Sequence, residues 1–140
     1  MPRYTAARVL LAPLDDVWAF LAEPYNLADW WPGIAGIEPD RRGFASGARW
    51  KVVGPTQPGY FRRPQSTGTL VVLDVVPMRR LAFQLTADRI EADLTVNAED
   101  ERRTNAVLVV NAPWLLGLRG SLPRLALDRL HDLLRTSEET

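Results

Sequence analysis

Glu91 and Asp93, in the segment IEADLTV, are two carboxylates whose spacing could support catalysis. Residues two apart in a strand share one face, and burial of both would raise the pKa of one carboxyl, as a general acid or base requires. Ala92, Leu94 and Val96 alternate with them, however, and compete for the buried face. The alternation favours carboxylates in contact with water and argues against a catalytic role.

His131 is the single histidine, and it could act as a base. The helical spacing around it groups His131 with the charged residues of the last helix, so we expect it to be exposed. Asn97 and Asn111 could donate hydrogen bonds to a ligand or could simply end strands. No Ser-His-Asp arrangement or phosphate-binding loop is present, and the absence of cysteine excludes disulfides and thiolate chemistry. The sequence therefore predicts no catalytic set, no cofactor and no metal.

Aromatic residues offer a different chemistry, the lining of an apolar cavity. Trp30 and Trp31 are adjacent in NLADWWPGI, and we expect one to pack in the core and the other to help roof a cavity. Trp50, Phe83 and Trp114 come from separate elements that could meet around one space, although simple core packing would also explain each of them. The predicted ligand-binding residues are Trp30, Trp31, Trp50, Tyr60, Phe61, Phe83, Leu85, Trp114 and Leu118.

The elements that would position these side chains begin with a strand over Tyr4 to Leu11, in which Thr5, Ala7, Val9 and Leu11 share one face. A helix follows Pro13, with an apolar stripe of Leu14, Val17, Trp18 and Leu21, and we interpret Trp18 as a core residue. A second short helix is predicted from the Asn26 cap to Trp30, while Pro32 forces Trp31 towards an extended backbone.

Strand patterns dominate the chain from Gly33 onward. We predict six strands, near Ile34–Glu38, Ala48–Val53, Gly68–Val76, Leu81–Ala87, Ile90–Ala98 and Thr104–Ala112. The connection from Gly54 to Gly68 is longer than a hairpin turn and carries Tyr60 and Phe61, which could belong to a lid or could pack on a neighbouring strand. A long helix, with Leu122, Ala126, Leu130 and Leu133 on one side, closes the chain.

Composition restricts the partners. Seventeen basic and seventeen acidic residues cancel, so no global charge attracts nucleic acid or an anionic membrane. The longest apolar stretch is interrupted by Asp74 and is shorter than the roughly 20 residues of a membrane-spanning helix. The 140 residues predict one domain, 1–140, and we expect a cytoplasmic protein with no signal peptide, whose oligomeric state remains open.

Four segments of the chain resemble the START-like or SRPBCC superfamily, which includes the pollen-allergen fold and bacterial proteins of the polyketide cyclase/dehydrase type. These segments are APLDDVWAFLAEPYNLADWWPGI, SGARWKV, GTLVVLDVVPMRRLAFQL and LPRLALDRLHDLL. The resemblance implies an α+β helix-grip fold. In that fold a curved seven-stranded antiparallel β-sheet wraps around a long C-terminal α-helix, two short helices follow the first strand, and an apolar tunnel separates sheet and helix.

Two functional classes follow from this resemblance, whose members bind lipids, sterols, quinones, polyketides or plant hormones and are in a minority of cases enzymes. The first is a binding protein that holds a small hydrophobic ligand between the sheet and the C-terminal helix. The alternative is a polyketide cyclase or dehydratase, which needs an ionisable group in the same cavity. A weaker third reading is a protein-interaction module. The sequence favours the first class, because its ionisable residues fall in turns and on polar faces.

Overall fold

The computed structural model describes residues 3–32, 34–53, 68–87, 89–112 and 121–138. Its strands are β1 (Arg3–Leu10), β2 (Gly36–Glu38), β3 (Arg49–Val53), β4 (Gly68–Val76), β5 (Arg80–Leu85), β6 (Ile90–Ala98) and β7 (Thr104–Asn111). Its helices are α1 (Leu14–Leu21), α2 (Leu27–Trp30) and α3 (Ser121–Glu138), and a 3-10 turn (Pro24–Asn26) precedes α2. The predicted ranges of β4 and β6 are confirmed, and the other strands differ from their predicted ranges by one or two residues at one or both ends.

All seven strands form one antiparallel sheet in the order β1-β7-β6-β5-β4-β3-β2. Strands β2 to β6 each pair with the next strand along the chain. Strand β1 pairs along its whole length with β7, so that Arg3 lies opposite Asn111 and Leu10 opposite Thr104. The sheet therefore has two edges, β1 and β2.

The two faces of the sheet differ in polarity, as the alternation predicts. On β6, Ala92, Leu94 and Val96 are buried while Glu91 and Asp93 are only half-buried on the opposite side. We call the face with the buried residues the inner face. The face of β1 that carries Thr5, Ala7 and Val9 is the exposed outer one, and Leu10 on the other face is fully buried.

A β-bulge interrupts strand β4. Val72 pairs with Phe83 and Asp74 pairs with Ala82, so Leu73 is an extra residue between two consecutive positions of β5. The side chain of Leu73 is exposed on the surface. Because a bulge bends its strand and increases the local twist, this residue contributes to the curvature of the sheet.

The two short helices connect β1 to β2. Pro13 occupies the N-cap position of α1, and Asp15 and Asp16 lie in the first turn, where the helix dipole favours acidic residues. Trp18 packs against the core, as interpreted from the sequence, but it is only partly buried. At the end of α2, Trp31 has an extended backbone before Pro32 (φ −87°, ψ 121°), as predicted.

Helix α3 packs mainly against β1 and β7, with further contacts to α2. Its inward side chains are apolar, and Ala126, Leu127 and Leu130 are at most 1 % exposed. On its β1 side, Asp128 forms an ion pair with Arg8. Curved antiparallel sheet, two short helices after the first strand and a long terminal helix together make the helix-grip fold. Of the helices described, none combines the length and the apolar character that crossing a membrane requires.

Candidate functional site

The site is built around an aromatic cluster of Trp30, Trp31 and Phe83. The rings of Trp30 and Trp31 meet edge to face, with centroids 5.7 Å apart and planes at 82°. Trp31 meets Phe83 in the same way, at 5.2 Å and 76°. Such contacts align the positive ring edge with the negative ring face. Helix α2 is thereby fixed over strand β5, near the middle of the sheet.

Both tryptophans of the pair are 1 % exposed, so neither projects into solvent. The sequence presents them as consecutive residues at the end of a short helix, where one side chain would ordinarily point outward. The change to extended backbone at Trp31, imposed by Pro32, turns its ring towards Phe83 while Trp30 stays on the helical face. The adjacent tryptophans therefore pack as a unit.

Trp50 forms a second aromatic contact, with Phe44. Their ring centroids are 4.3 Å apart, and the indole N–H of Trp50 donates a hydrogen bond of 3.0 Å to the carbonyl oxygen of Gly43. The indole therefore anchors the loop that precedes β3, in addition to contributing apolar surface to the inner face. Sequence reasoning did not select Phe44; its position six residues before Trp50, across a turn containing Gly47, was the available signal.

The inner face is not buried uniformly along the strands. Phe83 and Val72, paired in the middle of the sheet, are at most 1 % exposed. Leu85, the next inward residue of β5, is 5 % exposed, its neighbour Ile90 is 4 % exposed, and Val52 on β3 is 7 % exposed. Leu85 and Trp50 both pair with Leu70, so the predicted residues Trp50 and Leu85 lie in one row across the sheet. A small residual exposure is thus found at the end of the sheet where β3 ends and β4 begins, and Val96, near the other end of β6, also retains 4 %.

Five of the nine predicted site residues, Trp30, Trp31, Trp50, Phe83 and Leu85, belong to the buried apolar cluster between the sheet and the helices. Tyr60, Phe61, Trp114 and Leu118 lie outside the described residues. The contribution of these four to a ligand site therefore stays a prediction.

Asp93 of β6 belongs to an ion cluster on the outer face. Arg80 donates two hydrogen bonds to Asp93, of 2.9 Å from Nε and 2.6 Å from Nη2, and a third of 2.8 Å from Nη1 to Asp74. The hydrogen bonds and charge of Asp93, followed by the charge of Asp74, raise the pKa of Arg80 above its usual value. The expectation that Glu91 and Asp93 face away from the core is confirmed.

His131 is buried, with 9 % of its surface exposed, so the expectation that it is exposed is wrong. On a helical projection it lies at the border between the apolar side chains, such as Leu127, and the charged side of α3. Asp128, on that same side, pairs with Arg8 of β1, so the edge strand covers the border. The Nδ1 atom of His131 lies 3.2 Å from a carboxylate oxygen of Asp132.

Ionisable side chains are rare on the inner face of the described strands. Only Tyr4 and Arg8 occupy inward positions, and both belong to the edge strand β1. Thr104 is the buried polar residue of β7, and its hydroxyl donates a hydrogen bond of 2.8 Å to the carbonyl oxygen of Ala12. Within the part of the chain that the structure describes, no three histidine, aspartate or glutamate residues are grouped as metal ligands. This arrangement suits an apolar ligand better than acid–base chemistry.

Comparison with solved structures shows similar folds at low sequence identity. Protein XoxI from Bacillus cereus superposes with a TM-score of 0.73 at 12 % identity, covering 99 % of each chain. The di-domain ARO/CYC BexL, from the BE-7585A biosynthetic pathway, gives 0.72 at 16 % identity over 94 % of this chain and 46 % of its own. A point mutant of norcoclaurine synthase from Thalictrum flavum, in complex with a transition-state analogue, gives 0.66 at 14 % identity over 98 % and 96 %.

Sequence comparison gives the family. No curated protein matches the chain significantly. Residues 1–131 match the sequence profile described as polyketide cyclase / dehydrase and lipid transport. This match spans nearly all of the fold, from β1 into α3. The chain therefore belongs to the polyketide cyclase / dehydrase and lipid transport family, as its resemblance to the SRPBCC superfamily implied.

Proposed function

We propose that this protein binds a small hydrophobic ligand, such as a lipid, a quinone or a polyketide, against the inner face of β3, β4 and β5. The observation that supports the proposal is the set of large apolar side chains on that face, which includes Trp50, Phe83 and Leu85. Helix α3 packs on β1 and β7, whereas the β5 region is approached by Trp31 of the α2 end. The other half of the sheet offers large apolar side chains on which a ligand would lie.

We take the end of the sheet where β3 ends and β4 begins as the side from which a ligand enters. Inward residues in the middle of the sheet are closed to solvent, but Val52, Leu85 and Ile90 retain 4–7 % exposure. A ligand entering at this end would cross the row of Trp50 and Leu85 and reach Phe83 behind it. We include Tyr60, Phe61, Trp114 and Leu118 in the proposal as lining residues, because they complete the aromatic and aliphatic set expected of such a pocket.

Calorimetric titration with a fatty acid, a quinone and a flavonoid tests the proposal, with Leu85→Trp as the central variant. If open space lies in front of Leu85, the larger indole will occupy it. The free energy of unfolding should then stay within about 0.5 kcal/mol of the wild type, while affinity for the bound probe falls at least about tenfold.

Leu108→Trp is the matched control, because Leu108 is fully buried on the same face of β7, beneath α3. A tryptophan there has no space, so the variant should lose about 1–3 kcal/mol of stability, with little effect on the affinity of the folded fraction. Equal destabilisation by the two substitutions, together with no heat of binding across the panel, would contradict the proposed cavity.

An enzymatic role of the cyclase or dehydratase type is the second candidate, and the family description supports it. It requires a positioned acid or base near the ligand. Among the described strands, the inward ionisable residues are confined to β1. The acid or base would therefore have to come from another part of the chain, and Tyr60 is the predicted site residue with an ionisable side chain. Mass spectrometry tests this role, after the purified wild type and a Tyr60→Phe variant have each been incubated with a linear polyketide. A cyclised or dehydrated product that the wild type forms and the variant does not would support it.

A further inference from the structure

Two buried tryptophans of the site have no hydrogen-bond acceptor among the described residues. Trp30 and Trp31 are each 1 % exposed, and the indole N–H of neither one donates to an atom of a described residue. Trp50 is as deeply buried, but its indole N–H does donate to the carbonyl oxygen of Gly43. A buried donor without an acceptor lowers stability, so Trp30 and Trp31 require acceptors that the described part of the chain does not provide.

Trp31 is the member of this pair that contacts the proposed ligand site. Its ring centroid lies 5.2 Å from that of Phe83 on β5, whereas the ring contact of Trp30 is with Trp31 itself. A ligand that enters past Trp50 and Leu85 reaches Phe83 next, because Phe83 is the following inward residue of β5. Trp31 therefore brings a hydrogen-bond donor to the inner end of this path.

The accessible part of Trp31 is small enough to be the N–H group alone. Among the described residues, no polar side-chain atom is both fully enclosed and without a hydrogen-bond partner. Since the N–H of Trp31 has no described partner, we expect it to coincide with the 1 % of the residue that stays accessible. A ligand atom that touches this open part of the ring would then meet a hydrogen-bond donor.

An indole N–H limits the groups that it can bind. It donates and cannot accept, so the ligand must carry an acceptor. A ligand hydroxyl can accept, but it brings a proton of its own, and the inward side chains of β3 to β6 are apolar apart from the N–H of Trp50, which is already used. A carbonyl oxygen has lone pairs and no proton, so the donor of Trp31 satisfies it without any further polar group.

The charges of the sheet argue against an ionised ligand. A carboxylate could also accept from Trp31, but its burial is costly unless a cation pairs with it. Arg49 and Lys51 of β3 lie on the outer face, and the inward Arg8 of β1 already pairs with Asp128. The inner face of the described strands β3 to β6 therefore offers no cation to an acidic ligand.

We propose that the ligand carries a neutral carbonyl group, as a quinone or an aromatic ketone does, and that its oxygen accepts a hydrogen bond from the indole N–H of Trp31. The inference rests on the proposed function, since it assumes a ligand that lies against β3, β4 and β5. It makes Trp31 a specificity-determining residue in addition to its packing against Phe83. Quinones and aromatic ketones are thereby favoured over fatty acids and sterols.

Calorimetric titration with two probes of one carbon skeleton tests the inference. Menadione and methylnaphthalene share their fused rings and methyl group but differ in the carbonyl oxygens, and the chain has no cysteine that the quinone could alkylate. Replacement of Trp31 by benzothienylalanine substitutes sulfur for the N–H and keeps the size of the ring system. The affinity of this variant for menadione should fall by about three- to tenfold, while its affinity for methylnaphthalene should stay within about twofold of the wild type.

The same replacement at Trp18 is the control. Trp18 lies on α1, packs against the core only in part and does not belong to the proposed site. That variant should keep the wild-type affinity for both probes. Thermal unfolding of the two variants checks that each is folded before its affinities are compared.

Nuclear magnetic resonance reports on the donor directly. The chain has five tryptophans and therefore five indole N–H signals, and the signal of Trp31 is assigned by its absence from the benzothienylalanine variant. Because a hydrogen bond to a carbonyl deshields the proton, menadione should move this signal to lower field by more than methylnaphthalene does. The signal of Trp18 should stay in place with both probes.

The outcomes separate this inference from the proposed function. If both probes bind the wild type and the Trp31 replacement changes their affinities equally, or changes neither, the carbonyl contact is refuted while the binding site stands. Naphthoate, the ionised acid of the same ring system, should bind at least about tenfold more weakly than menadione at neutral pH, and tighter binding of the acid would overturn the neutral ligand class. If neither menadione nor methylnaphthalene binds the wild type, the proposed function fails together with the inference.

Discussion

The contact between Trp31 and Phe83 should have a measurable coupling energy, because it joins α2 to the middle of the sheet. Trp31 is 1 % exposed and Phe83 is fully buried. Trp31→Leu removes roughly 80 Å² of buried apolar surface, or about 2 kcal/mol, and also the edge-to-face contacts with Trp30 and Phe83, each about 0.5–1.5 kcal/mol. We expect a total loss of about 3–5 kcal/mol, which is a large part of the stability of a typical domain.

The coupling is obtained from urea unfolding of Trp31→Leu, Phe83→Leu and the double variant. The double variant should be more stable than the sum of the single losses implies, by about 0.5–1.5 kcal/mol, because the contact can be lost only once. Trp31→Leu combined with Phe44→Leu is the control cycle, since Phe44 makes its edge-to-face contact with Trp50 instead, and it should be additive within about 0.5 kcal/mol. Additivity in both cycles would refute the argument that the aromatic cluster fixes α2.

Three further predictions concern the turns and the sheet. The hydrogen bond from Arg103 lowers the pKa of Asp100 below its ordinary value. The interaction therefore stabilises the fold at pH values above the pKa of Asp100 in the unfolded chain, and this stabilisation is lost as the pH falls through the pKa of Asp100 in the folded protein. In an NMR titration, Arg103→Gln should raise the pKa of Asp100. Met78 has φ +66° at the third position of a turn, so Met78→Gly should stabilise the fold by about 0.5–1 kcal/mol in thermal unfolding. A Cβ on Gly68 would lie 2.9 Å from the Cβ of Ala87, so Gly68→Ala should lower the free energy of unfolding by about 1–3 kcal/mol. A Cβ on Gly36 meets nothing within 4 Å, so Gly36→Ala should not have this effect, and urea unfolding of both variants tests the difference.

The strands were predictable because their burial has a period of two. Strand β6 lies inside the sheet with one polar and one apolar face, and its predicted range, Ile90–Ala98, matches the observed one. On β1 the pattern gives the two sets of residues but not which set is inward. Thr5, Ala7 and Val9 are as apolar as the inward set, and only the position of α3 decides that they are outside.

The site was less predictable, since its members depend on contacts between distant elements. His131 lies at a border of the helical stripe, and Arg8, 123 positions earlier, belongs to the strand that covers it. Trp18 and Trp31 are the same residue type on neighbouring helices. The first stays partly exposed and the second is fully buried, because a proline redirects the chain after Trp31.

The bulge at Leu73 bends β4 without changing the face of the sheet on which the residues beside it lie. A chain lacking this one residue would keep Val72 facing inward and Asp74 facing outward, since these two already pair with consecutive residues of β5. It would lose only the bend. The volume enclosed beneath the sheet could therefore change during evolution by insertion or deletion of a single exposed side chain, without replacement of any residue that lines the interior.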